Sequence, residues 1–343
     1  MTHLVTGATG FVGSHVVRRL LARGELVRAL VRPSSNLQAL EGLEVERVYG
    51  DLRDPDSLRS ALRGVDRVFH VAADYRLWAP NPREIYENNV AGTRNLLQAA
   101  RAAGVSRIVL TSSVATIAVP RHDALPNEFT VTRLDEMIGH YKRSKFLAEQ
   151  EARQAAKEGL PVVIVNPTTP VGPWDWKPTP TGRIVLDFLR GRMPAYLDTG
   201  LNLVPVEDAA EGHLLAAEHG KIGERYILGG QNLTLKEILE ALARLTGRPA
   251  PRLRLPYAVA FAAGAIENGL ARIMGREPTI PLDGVRMARH KMFVDCRRAI
   301  DELGFRPTSV EAALGRAVRW YVEHGYVPAP QALQTAGAHA AGM

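Results

Sequence analysis

The run T-G-A-T-G-F-V-G, Thr6 to Gly13, stands between a β-type opening at residues 1–5 and a helical pattern beginning near Phe11. Strand, glycine turn and helix in that order commit the N-terminus to a β-α unit. Glycine permits the tight turn and lets an anion approach the N–H groups at the start of the helix. The same alternation repeats downstream. Apolar β-type runs at 3–6, 26–31, 46–49, 67–71, 107–111 and 162–166 are separated by helical patterns. Such alternation predicts an α/β fold with a doubly wound parallel sheet, helices on both faces and a ligand crevice at the carboxyl ends of the strands.

After Asn166 the pattern changes. A proline-rich loop leads to a helix over 181–190, and two strands near Leu203 and Arg225 are expected to return to the sheet. From Gln231 onward the chain is mostly helical, most clearly at 255–274 and 310–324. The organisation expected is a Rossmann-type domain over 1–170 completed by 203–229, a smaller mostly helical substrate domain from 171–202 and 230–328, and a disordered tail at 329–343. The 343 residues suffice for about two domains. The single cysteine, Cys296, cannot make an internal disulfide, no Cys/His spacing suggests a metal, and residues 1–5 run straight into the turn rather than forming a signal peptide. A cytoplasmic protein is expected. The net charge of +7 comes from arginines scattered among acids, which argues against nucleic acid as the partner. The apolar stretch 258–266 is far short of the ~20 residues that span a membrane. It reads as a core or inter-domain helix, with a cover over an apolar substrate or a membrane-surface contact as alternatives.

Gly7, Gly10 and Gly13, with Thr9, Phe11 and Val12 between them, are candidates for holding a dinucleotide pyrophosphate. Where an NAD-binding strand usually ends in an acid, the second strand ends in Val31 and Arg32, followed by Ser34 and Ser35. A cation and hydroxyls there suit a 2′-phosphate, which favours NADP(H) over NAD(H), against a solvated surface arginine. Asp51, with Leu52 beside it, could accept a hydrogen bond from an adenine amino group; Asp54 is the better cap for the following helix. Val71, Ala72 and Ala73 supply small residues where backbone passes close to the cofactor. His70 reads as a packed histidine rather than a proton donor.

Tyr141 and Lys145, in Y-K-R-S-K, are four apart and share one helix face. A tyrosine with its pKa near 10 is a poor base at neutral pH, and a neighbouring ammonium favours the phenolate. Thr111-Ser112-Ser113, at the end of the fifth strand, can orient a substrate carbonyl. Tyr75, Leu77 and Trp78 suit an apolar, ring-bearing or lipid-linked small molecule, or else pack within their own loop.

These motifs, with N-P-T-T-P-V-G-P and H-V-A-A-D-Y-R-L-W, resemble the extended short-chain dehydrogenase/reductase family over about residues 1–325, in its dihydroflavonol 4-reductase-like branch and the bacterial hopanoid-associated group within it. The resemblance implies Ser113 as the carbonyl-orienting hydroxyl, Tyr141 as general acid/base and Lys145 as its activator. It also implies Asn89 as support for the lysine or local backbone, Pro167 and Thr168 packing on the nicotinamide, and a homodimer through helices that include that of Tyr141. Leu201 stands where nucleotide-sugar epimerases carry a diphosphate-binding arginine, and Val114 and Ala115 stand where dehydratases carry acids. The expected activity is NADP(H)-dependent hydride transfer at a secondary alcohol or ketone. An NAD-dependent sugar epimerase with tightly held cofactor is the alternative, and an NADP(H)-sensing binding protein the rival of another class.

Overall fold

The computed structural model describes residues 1–117, 125–279 and 281–328; the tail expected at 329–343 lies outside them. The chain runs β1 (Thr2–Thr6), α1 (Phe11–Ala22), β2 (Leu26–Val31), β3 (Glu46–Tyr49), α2 (Pro55–Ala61), β4 (Arg67–His70), α3 (Arg83–Tyr86), α4 (Gly92–Ala102), β5 (Arg107–Thr111), α5 (Gly139–Lys157) and β6 (Val162–Pro167). It continues through β7 (Thr169–Val171), α6 (Pro180–Leu189), β8 (Ala195–Tyr196), β9 (Gly200–Pro205), α7 (Val206–His219), β10 (Arg225–Leu228), β11 (Gln231–Thr234) and α8 (Leu235–Thr246). Last come β12 (Leu253–Arg254), α9 (Tyr257–Ile273), α10 (Leu282–Met287), β13 (Lys291–Met292), α11 (Arg297–Leu303) and α12 (Val310–Glu323).

Seven strands form one parallel sheet in the order β3-β2-β1-β4-β5-β6-β10. Its central strands are continuous apolar runs because both faces are covered: every residue of β6 is buried. On one face Val16, Val17 and Leu20 of α1 pack with Ala209, Ala210 and Leu214 of α7. On the other, Leu58 of α2, Leu96 and Leu97 of α4 and Ala152 of α5 form a second layer. The order reverses between β1 and β4, so the crevice opens at their carboxyl ends. Asp54 caps α2 as expected, accepting from the Asp56 N–H at 3.0 Å.

The strand expected near Arg225 is β10 at the sheet edge, but that near Leu203 does not return. It is β9, the centre of a second sheet, antiparallel to β11 and parallel to β7 and β13. Its apolar side chains join α6, α8 and α12 in a separate core that includes Leu203, Leu242 and Leu314.

Candidate active site

Gly7 follows β1 with φ +68°, and a Cβ there would stand 2.6 Å from the Ala72 nitrogen, so the chain leaving β1 meets the chain leaving β4 only because the side chain is absent. A Cβ on Gly13 would collide with the Gly7 carbonyl oxygen. Gly10 caps α1 without any side chain closing the turn, and the first turn carries no acid. Thr9 is half-buried, and Phe11 and Val12 open the helix, Phe11 edge-on to His15. The cradle fits a dinucleotide pyrophosphate: its amides face no competing carboxylate, and the helix dipole favours an anion.

Arg32 is exposed after β2, in a turn closed by Arg32 N–H to Ser35 Oγ at 3.0 Å, and among the described residues it makes no ion pair. Asp51 is held from one side by Arg53, with Nη2 to Oδ2 at 2.7 Å, and this hydrogen bond sets its carboxyl below the ordinary range. Leu52 packs against Gly92, while its carbonyl accepts from Asn95.

A chain of hydrogen bonds crosses behind the crevice. Thr93 Oγ1 donates to the Asn89 carbonyl at 2.6 Å, so it accepts from His70 Nε2 at 3.0 Å. His70 Nδ1 then accepts from Thr6 Oγ1 at 2.7 Å, which accepts from the Ala72 N–H. The order fixes one neutral tautomer, and burial pushes His70 down to about 3. Asn89 lies in a π-type turn at Glu87–Ala91. Its side chain binds both backbone groups of Asp74 and donates to Ser144 Oγ at 2.9 Å, contacting no lysine ammonium.

Three candidates gather where β5 ends and α5 begins. Ser113 Oγ faces the Tyr141 phenol and favours its ionised form, while accepting the Ala115 N–H at 3.1 Å. Lys145 is 5% exposed and donates to the Thr111 carbonyl at 2.7 Å. The expected depression of the Tyr141 pKa is not found: desolvation raises it, against the pull of Ser113, and burial brings Lys145 itself down to about 8. The spacing puts both residues on one face, but the ammonium is held at a backbone carbonyl.

Sequence reasoning missed the group behind them. Glu149, one turn beyond Lys145 and 1% exposed, accepts from Ser112 Oγ at 2.6 Å, Thr116 Oγ1 at 2.8 Å, Asn166 Nδ2 at 3.0 Å and Arg225 Nη1 at 3.2 Å. Burial works to raise its pKa, but Arg225 and these donors hold it below the ordinary value. The i+4 spacing from Lys145 was the available signal; Arg225, on β10, gave none.

Val71 donates its N–H to the Thr6 carbonyl at 3.2 Å, and Ala73 is exposed at the rim. Pro167 ends β6, and Thr168 is tied to the Leu228 carbonyl through its N–H at 3.1 Å. Tyr75 is 40% exposed and Trp78 half-buried. Burial pushes the Tyr75 phenol up, Asp175 adds to this and Arg183 opposes it. Asp175, also missed, is 1% exposed and accepts from Thr179 and from Tyr321 Oη at 2.9 Å; burial nevertheless pushes it up to about 6. Leu201 packs into the second core.

A protein of Synechocystis sp. with the provisional name dihydroflavonol 4-reductase is 48% identical, over 94% of this chain and 95% of that one. Sterol demethylase protein B of Methylococcus capsulatus is 42% identical over 95% of this chain and all of that one. A solved nucleoside-diphosphate-sugar epimerase from Pseudomonas aeruginosa, PA4631, superposes with a TM-score of 0.79 at 32% identity, covering 95% of this chain and 99% of its own. With the sheet, the glycine cradle and the match of residues 3–229 all in agreement, the chain belongs to the NAD dependent epimerase/dehydratase family.

Proposed function

We propose that this chain is an NADP(H)-dependent oxidoreductase acting on a secondary alcohol or ketone, with Ser113 orienting the reacting oxygen and Tyr141 moving its proton. The observation that carries this is the division of labour at the end of β5: Ser112 is bound to Glu149, leaving Ser113 turned to the Tyr141 phenol. The nicotinamide, when bound, supplies or accepts the hydride. In reduction Tyr141 donates its phenolic proton to the carbonyl oxygen; in oxidation it takes the proton back. Phenolate formation in a desolvated cleft is costly, and the Ser113 hydroxyl lowers that cost, while Lys145 stands one turn along the same helix face with its ammonium on the Thr111 carbonyl. Gly7, Gly10 and Gly13 would hold the pyrophosphate and Arg32 a 2′-phosphate.

The substrate reading is an apolar, polycyclic or hopanoid-linked body with one polar carbonyl. It is supported by the aromatic Tyr75 and Trp78 in the loop after β4, and by a relative named for sterol demethylation. A sugar epimerase retaining NAD is the second reading, favoured by the likeness to the Pseudomonas enzyme. Against it, Leu201 gives a diphosphate no cation. We further place the enzyme in the cytoplasm as a homodimer. Mass spectrometry of the purified full chain tests the choice. Exchangeable NADP(H) is expected; stoichiometric NAD that survives dialysis would establish the epimerase reading instead.

A further inference from the structure

Helix α9 is inside out for a helix bathed in water. Only Ala260, Gly264 and Ala271 are buried, and this narrow stripe of small residues seats it on α10, Gly264 lying against Val285 and Leu282. The exposed positions are Ala258, Val259, Phe261, Ala262, Ala263, Ala265, Ile266, Gly269, Leu270, Arg272 and Ile273, of which only Arg272 is polar. Ile266 is 65%, Leu270 49% and Ile273 85% exposed. With Val259 at 52%, these three recur at seven, eleven and fourteen residues and so form one stripe along the helix. A surface helix normally presents its polar face to solvent, so this stripe has a covering partner.

Cations are in excess in the segment that carries the stripe. Residues 252–292 contain seven Lys and Arg against three Asp and Glu, and of the seven Arg254 and Lys291 pair with Asp198, Arg276 with Glu267 and Arg286 with Asp283. Arg252, Arg272 and Arg289 are exposed and pair with no carboxylate among the described residues, Arg289 standing 6.0 Å from the Tyr257 ring. At the N-terminal end of α9 a cavity of about 270 Å³ is lined in part by Arg254, Tyr257 and Arg289.

We infer that α9 lies in the headgroup region of an anionic bilayer, its apolar stripe among the upper acyl chains and its arginines on the phosphates. Interfacial helices combine this apolar face with flanking cations. A second copy is the poorer occupant, because two like faces meeting about a two-fold axis would bring the same unpaired arginines together. At 17 residues α9 is about 26 Å long, and no helix of the described residues is long and apolar enough to cross a membrane. The Glu267–Arg276 ion pair at 2.8 Å and the Thr279 N–H on Glu267 at 3.0 Å fasten α9 to the segment that follows it.

The position matters for access. Asp283 of α10 lies against Gly139, two residues before Tyr141, and a Cβ on Gly284 would touch Leu77 at 3.7 Å. The bilayer-facing helix is thus one packing layer from α5 and the Tyr75–Trp78 loop. The docking itself is independent of the redox reading, and its test needs neither cofactor nor substrate.

The test is flotation of the full chain with phosphatidylcholine vesicles, with and without about one third phosphatidylglycerol. Binding to the anionic vesicles is expected, about tenfold weaker without the anionic lipid and several-fold weaker in ~0.5 M salt. The triple variant Ile266→Gln, Leu270→Gln, Ile273→Gln should lose about tenfold or more while keeping its circular dichroism, since all three side chains face solvent. Arg272→Glu with Arg289→Glu should remove the anionic preference and tests the proposal without touching the stripe. Failure of the wild type to float with anionic vesicles overturns it. So does a triple variant that floats as well as wild type, or one whose only change by light scattering is from dimer to monomer, which would assign the face to a second copy.

Discussion

Ser112 Oγ donates a 2.6 Å hydrogen bond to Glu149, a carboxylate on the buried face of α5, and this withdraws one of two adjacent hydroxyls from the crevice. The two serines should therefore separate on mutation. Ser113→Ala is expected to lower kcat by about a hundredfold with little change in melting temperature. Ser112→Ala should keep most activity and cost about 1–3 kcal/mol of stability by leaving Glu149 short of a donor. Turnover and denaturant unfolding of both variants check this; reversed phenotypes would reassign the orienting hydroxyl to Ser112.

Tyr141→Phe keeps the ring and removes the proton. Cofactor affinity should stay within about twofold while turnover falls by 10² or more. Lys145→Met should damage both, since the same ammonium that binds the Thr111 carbonyl is also the cation nearest the nicotinamide site in this reading. Fluorescence titration of cofactor alongside steady-state rates makes the comparison; a Tyr141→Phe enzyme that retains most of its rate removes Tyr141 from the acid/base role.

Arg32 is exposed and lacks an ion-pair partner among the described residues, so a cofactor phosphate would meet a free guanidinium. Loss of that contact in Arg32→Ala should cost about 1.5–3 kcal/mol, roughly ten- to a hundredfold in NADPH affinity, and leave NADH unchanged. Wild-type affinities that are equal for the two cofactors contradict the assignment.

Gly10 and Gly13 make different demands. A Cβ on Gly10 meets only the Gly7 oxygen at 3.2 Å, whereas one on Gly13 would overlap that oxygen. Gly13→Ala should destabilise by several kcal/mol and abolish cofactor binding, while Gly10→Ala should fold normally and weaken binding alone. Melting curves with and without NADPH distinguish the pair.

Burial holds His70 down to about 3 and His213 to about 4. Below pH 6.5 the unfolded chain takes up protons that the folded chain refuses, so stability falls as pH drops. Each histidine contributes roughly 2 kcal/mol of that loss by pH 5. The effect is absent above pH 7, where both states are neutral. Urea midpoints from pH 7 to 5 measure it, and His213→Asn should flatten the curve; an unchanged slope would show that other groups carry the acid sensitivity.

The sheet was legible because strands covered on both faces are largely apolar, as β5 and β6 are; the exposed edge strand β3, Glu-Arg-Val-Tyr, was legible only from its place in the strand-helix alternation. Leu203 misled for the same reason: an apolar strand states that it is buried, not which sheet it joins. The spacing of Tyr141 and Lys145 gave their shared face but not the position of the ammonium, which depends on the Thr111 carbonyl brought in by β5. Glu149 could have been found by extending that face one turn. Arg225 and Asp175 could not, because their partners lie 76 and 146 residues away in the chain.

Arg225 ties the edge of the sheet to the buried face of α5. Its Nη1 lies 3.2 Å from Glu149, which Arg153 meets from the same helix at 3.0 Å, while its Nε and Nη2 donate to the Glu128 and Thr130 carbonyls. One guanidinium thus fastens β10, α5 and the chain at 128–130 at a single point. Whatever loosens the edge strand therefore loosens the helix that carries Tyr141 as well.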